Sequence, residues 1–145
     1  SSVFPPILLC MDSRLSTGVF VVPSDDPVKS MSGVATQNIK KMYENSGVTP
    51  EELTGYWECV YPRQYYKRMP AQMRNKVYFY TQVAKYDKMT LTERGLETAR
   101  LVQNTFYHAH SEQIHMTHVS QALSTFWYGE KIIDFLVRAM GRERL

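Results

Sequence analysis

Met69-Pro70-Ala71-Gln72-Met73-Arg74-Asn75-Lys76-Val77-Tyr78-Phe79-Tyr80-Thr81-Gln82-Val83-Ala84-Lys85-Tyr86 is the stretch on which the fold turns. Met73, Val77, Tyr80 and Ala84 recur at spacings of four, three and four, the repeat of one helical face. Pro70 stands where the first turn of a helix tolerates a missing N–H. The spacing therefore predicts one helix from Met69 to about Tyr86, with those four residues turned inward.

The flanking sequence extends the same reading. Asp26-Pro27 offers an N-cap and first turn for a helix carrying Val28, Met31, Ala35, Ile39, Met42 and Tyr43, closed by Ser46-Gly47. Thr49-Pro50-Glu51-Glu52 is a capping box that opens a second helix to about Cys59, and Tyr61-Pro62 ends it. Thr90-Leu91-Thr92-Glu93 is another, ahead of Leu96, Ala99, Val102 and Phe106. From Glu112 to Met140 the period continues through Val119, Leu123, Phe126, Ile133 and Leu136, as one long helix or two shorter ones, with a charged tail from Arg142 to Leu145. Residues 1–23, with Pro5-Pro6, the apolar runs Ile7–Leu9 and Val19–Val22 and a break at Ser16-Thr17-Gly18, read as an extended arm with room for a short β-hairpin. The expected class is mainly α: four to five helices in an irregular bundle, residues 24–145 forming a single helical domain behind the arm.

A chain of 145 residues with 43% hydrophobic and 21% charged side chains can bury a core without a metal or disulfide. The longest apolar runs are too short to cross a bilayer, so no transmembrane span is expected. The net charge of +3 is unevenly placed. Residues 1–58 carry four basic and seven acidic groups, residues 87–145 seven of each, and residues 59–86 six basic and none acidic. In that middle block Arg63, Lys67, Arg68, Arg74, Lys76 and Lys85 alternate with six tyrosines and Phe79. Cations that meet phosphates, interleaved with rings that stack, suit RNA, anionic lipid headgroups or an acidic protein surface. Arg63, Tyr65, Tyr66, Lys67, Arg68, Arg74 and Lys76 are the candidate interaction residues. A solvated helix face with the tyrosines packed inward is the structural alternative.

Cys10-Met11-Asp12-Ser13-Arg14 follows the run Ile7–Leu9 and resembles the metal-site signature of the β-class carbonic anhydrases. That resemblance implies Cys10 as a zinc ligand at a strand end beside an Asp12–Arg14 pair. The family's downstream His-x-x-Cys is not matched, because Tyr56 stands three residues before Cys59. His108, His110, His115 and His118 cluster within eleven residues, and Glu112-Gln113-Ile114-His115 resembles the Glu-x-x-His unit of ferritin-like di-iron bundles. On a helix Glu112, His115 and His118 would share one edge, but no second such unit occurs. No glycine-rich phosphate loop or nucleophile elbow is present, and no cofactor is expected.

Lys67-Arg68-Met69-Pro70, leading into a basic amphipathic segment, looks like the Arg-Leu-Pro turn of the small matrix-side helical subunit of the mitochondrial cytochrome bc1 complex, although that family's later Leu-Pro and Trp landmarks are lacking. The likeness implies an accessory subunit of a membrane-bound assembly. Two well-separated cysteines suit an intracellular compartment, and Ser1 in place of an initiator Met fits either a cleaved leader, such as an organellar import signal, or a trimmed chain. The functional expectation is a non-catalytic accessory or structural subunit of a larger multi-protein assembly, of the respiratory-chain or ATP synthase type. The alternatives are an RNA-binding component, ribosomal or viral, using residues 61–86, and a degenerate β-carbonic-anhydrase-like or other metal enzyme.

Overall fold

The computed structural model describes residues 4–21, 23–30, 33, 37–124 and 129–142. Val22 of the arm, Met31, Ala35 and Phe126 of the helical patterns, and residues 143–145 of the charged tail lie outside the described residues. In chain order the elements are α1 (Phe4–Met11), β1 (Thr17–Val21), α2 (Pro27–Ser30), α3 (Gln37–Asn45), α4 (Pro50–Trp57), a 3-10 turn (Glu58–Val60), α5 (Pro62–Arg68), α6 (Ala71–Arg74), β2 (Tyr78–Ala84), α7 (Thr92–Thr105), β3 (His108–Ile114), α8 (His118–Ser124) and α9 (Gly129–Arg142).

The architecture is mixed α/β, which corrects the expected mainly α bundle. The three strands form one sheet in the order β1-β2-β3, and both pairings are parallel. The long helix expected from Met69 to Tyr86 is only the turn of α6; residues 78–84 are the central strand. The four residues at helical spacing pack as expected, with Val77, Tyr80 and Ala84 buried, but so do Phe79, Thr81, Gln82 and Val83 between them. A helix in a two-layer bundle buries one stripe, whereas the middle strand of a parallel sheet is covered on both faces. Aromatic and β-branched residues favour the strand as well.

Other expectations fail for related reasons. The N-terminal arm contains a helix, α1, and a strand that pairs in parallel with β2, with no hairpin among the described residues. The first predicted helix is divided into α2 and α3. Between them Gly33 lies so close to the Met89 carbonyl that a Cβ would fall 1.5 Å from its oxygen. The segment from Glu112 onward begins inside β3, and two helices follow. The Thr49 capping box does form: Thr49 Oγ1 accepts from Glu52 N–H and Glu52 Oε2 accepts from Thr49 N–H. The Thr90 box does not, and α7 instead starts from Leu91 with φ of 66°, in the sparsely occupied left-handed region.

Strand alternation splits β2 between two layers. Phe79 faces the main core, where its ring lies 4.5 Å from Phe20 and 4.9 Å from Phe106, and Tyr66 of α5 meets Phe79 and Phe106 edge-on. Leu9 of α1, Met69, Val77 and Val102 of α7 complete this cluster. Tyr78, Tyr80 and Gln82 face the opposite layer, where Phe135 of α9 tilts over Tyr80 at 5.1 Å. Among the described residues, no helix is long and apolar enough to cross a membrane.

Candidate functional site

Ligands of open parallel sheets usually bind beyond the carboxyl ends of the strands, so that crest is the first place to look for chemistry. Past β1 come Ser24, Asp25 and Asp26, all buried. Asp26 Oδ1 accepts from Lys29 N–H at 3.0 Å and so caps α2, as the Asp26-Pro27 pair suggested. Thr98 Oγ1 accepts from Asp25 N–H at 3.1 Å and lies 2.8 Å from Asp25 Oδ1. Arg63 spans both carboxylates, with Nη2 donating to Asp26 Oδ2 at 3.2 Å. Its Nε lies 2.8 Å from Asp25 Oδ2 without hydrogen-bond alignment, so that contact is ionic.

Past β2, Asp87 is buried and fully engaged. Its carboxylate accepts from Met89 N–H at 2.8 Å, Thr90 N–H at 3.0 Å and Thr90 Oγ1 at 2.6 Å, and His118 Nδ1 lies 3.0 Å away. Burial pushes this carboxyl's pKa up, but the hydrogen bonds from Thr90, His118 and Met89 outweigh it and hold the group below the usual carboxylate value. Thr92 closes the same turn by accepting from Asp87 N–H at 3.1 Å. Beside it, Gln121 of α8 donates to the Gln82 carbonyl at 3.0 Å, and Gln82 Nε2 donates to Glu112 Oε1 at 2.8 Å. The crest therefore holds ionisable groups that satisfy one another across five elements, tying β1, β2, α5, α7 and α8 together.

An open concavity lies elsewhere, between α9 and the lower half of the sheet. It encloses about 440 Å³, and its floor is paved by rungs from adjacent strands. Tyr78 stacks on His108 at 4.4 Å with planes 8° apart, and Tyr80 on His110 at 5.3 Å. These rungs follow from the register, which sets Tyr78 opposite His108 and Tyr80 opposite His110. Lys131 donates to Glu112 Oε2 at 2.9 Å on one wall, and Asp134 and Arg138 line the rim. Burial and the hydrogen bond with Glu112 raise the Tyr80 phenol's pKa, so it stays protonated.

The basic segment named from sequence is dispersed. Arg63 is spent on Asp25 and Asp26, and Tyr66 is 1% exposed in the core. Tyr65 donates its hydroxyl to the Cys59 carbonyl at 2.6 Å. Lys67 and Arg68 are exposed at the end of α5, Arg74 is half-buried at the end of α6, and Lys76 is exposed on a groove shared with Arg14 at the opposite end of the strands from the crest. Three exposed cations remain from the expected set, without a run of exposed rings between them.

The residues weighed as metal ligands lie apart from the places their motifs implied. Cys10 sits within α1, not at a strand end, and burial pushes its thiol up to about 12. Asp12 and Arg14 do pair, at 2.6 Å, on the surface. Glu112 lies in β3, His115 follows it and His118 opens α8, so they share no helix edge. Among the described residues no group of three His, Cys, Asp or Glu converges as a metal site would require. Sequence reasoning missed Asp87, Gln82 and Gln121 altogether, because their roles depend on strand ends that the helical reading had erased. Compared with protein families, curated proteins and solved structures, the chain matches none of them.

Proposed function

We propose that this chain is a non-catalytic structural subunit whose helices dock on other proteins of a larger assembly. The observation that carries this reading is the two-sided apolar character of α9. Ile132 and Ala139 are buried against the sheet, while Ile133, Val137 and Met140 project outward and are more than half exposed. Phe4, Leu8 and Met11 form a second exposed row at spacings of four and three on α1, and Val119 and Leu123 a third on α8. Isolated surface apolar residues are ordinary, but rows at helical spacing on several elements are what protein interfaces bury. The crest lends support, since its carboxylates, arginine and histidine are committed to holding the turns of the fold. The RNA-binding alternative loses Tyr66 to the core and Arg63 to two carboxylates.

Methionine oxidation tests this reading. Met11 and Met140 are exposed in the free chain and belong to the rows on α1 and α9. In natively extracted material both are expected to resist peroxide, and in the purified chain both should oxidise readily. Equal oxidation in the two preparations would overturn the proposal.

A further inference from the structure

β3 is an edge strand of seven residues, paired among the described residues with β2 on one side only. Its free side can be read from the ladder. Lys85 N–H donates to the Ile114 carbonyl at 2.8 Å, so Ile114 points its peptide groups toward β2. In a parallel pair the residues facing a neighbour alternate. His108, His110 and Glu112 therefore also face β2, and the N–H and C=O groups of Ala109, Ser111 and Gln113 point outward. A row of this length with no proline and only one formal charge is an open template for another strand.

We infer that this edge is a homodimer interface, in which β3 pairs antiparallel with β3 of a second copy about a twofold axis at Ser111. The occupant is identified by self-complementarity. An antiparallel pair uses outward-facing residues as its hydrogen-bonded pairs. Ser111 then meets its own copy, and Ala109 meets Gln113 on both sides of the axis. The intervening positions, where opposed side chains come closest, bring His110 of each copy against Glu112 of the other.

The two neighbouring twofold registers are disfavoured by the same residues. Shifting the axis to His110 opposes imidazole to imidazole, and shifting it to Glu112 opposes two carboxylates. The register centred on His110 also brings His108 against Glu112 on each side but keeps the imidazole pair at its centre, whereas the register centred on Ser111 pairs His110 with Glu112 twice over with only the two serines on the axis, as an isologous contact allows. His110 is exposed, and Glu112 already accepts from Lys131 and Gln82 with its two oxygens, which holds the carboxylate on the face where His110 would meet it. The result is a continuous six-stranded sheet across two copies, with the Tyr–His floors of the two clefts on the same face. This pairing stands independently of the subunit role proposed above.

Sedimentation velocity on the full chain from about 1 to 100 µM is expected to resolve a monomer–dimer equilibrium. Ser111→Pro removes an N–H that bonds nothing within the protomer's sheet and should leave the far-UV spectrum intact while abolishing the dimer. His110→Glu should raise the dimer Kd about tenfold, by opposing carboxylates at both ends of the pairing. The swap His110→Glu with Glu112→Lys should restore it, a readout that general destabilisation cannot produce. A wild-type chain that stays monomeric throughout this range overturns the inference. So does a dimer that survives Ser111→Pro, or a swap variant no tighter than His110→Glu alone.

Discussion

A methyl group on Gly95 would sit 2.8 Å from Cγ1 of Val83, so α7 approaches the central strand as closely as it does only because residue 95 has no side chain. Alanine is the better helix former by about 1 kcal/mol, which would ordinarily make Gly95→Ala stabilising. Here the methyl must displace a buried side chain in the middle of the sheet, and the expected net effect is a loss of about 1–2 kcal/mol. Urea denaturation of the single variant and of Gly95→Ala with Val83→Ala decides the matter. If the two losses simply add, the steric account is wrong.

Arg63 stands between two buried carboxylates, and its removal should cost far more than that of its basic neighbours. Arg63→Met leaves Asp25 and Asp26 without their shared cation, an expected loss of about 2–3 kcal/mol given that the guanidinium is partly open to water. Lys67→Ala and Arg68→Ala, on the exposed end of α5, should stay within about 0.5 kcal/mol of the parent. Equal melting of all three would mean that the crest pairing contributes nothing.

Acid should loosen the turn after β2. Because the folded Asp87 carboxyl lies below its ordinary value, its contribution is complete above about pH 3.9 and is lost as pH falls through the native value. Asp87→Asn should lower stability at neutral pH by about 1–3 kcal/mol and flatten the decline of stability in acid. Parallel acid titrations of parent and variant, followed by circular dichroism, are the check; curves of identical slope would assign the acid sensitivity elsewhere.

The two thiols should react at very different rates. Cys10 is held protonated, its pKa raised by burial to about 12, whereas Cys59 is exposed. At pH 8 a maleimide is expected to add once to the native chain and twice in denaturant, as read by intact mass. Rapid double addition to the native chain would mean that α1 does not stay seated on the core.

How much of this was readable beforehand depended on whether local signals and tertiary burial agreed. The Thr49 box and the stripe of α7 were legible because capping and one-sided burial are properties of the segment itself. The central strand was not, since Met73, Val77, Tyr80 and Ala84 fit a helix by accident, and a strand buried on both faces leaves no alternation to correct the impression. β3 was hidden differently. His108-Ala109-His110-Ser111-Glu112-Gln113-Ile114 is too polar to announce a strand, and it becomes one because β2 supplies the neighbouring ladder. The candidate surface suffered from the same gap: Arg63 and Tyr66 look like their exposed neighbours until the sheet places Asp25 and Phe79 beside them.

The parallel pairing of β1 with β2 also sets an order of events for a chain made from its N-terminus. Phe20 packs against Phe79, which leaves the ribosome some sixty residues later, and β2 has its second flank only after α7 and β3 follow. Until then α1 and β1 are apolar segments waiting in water, so nascent chains paused before residue 84 should be the ones that chaperones hold, and the sheet should gain its resistance to proteases late and all at once.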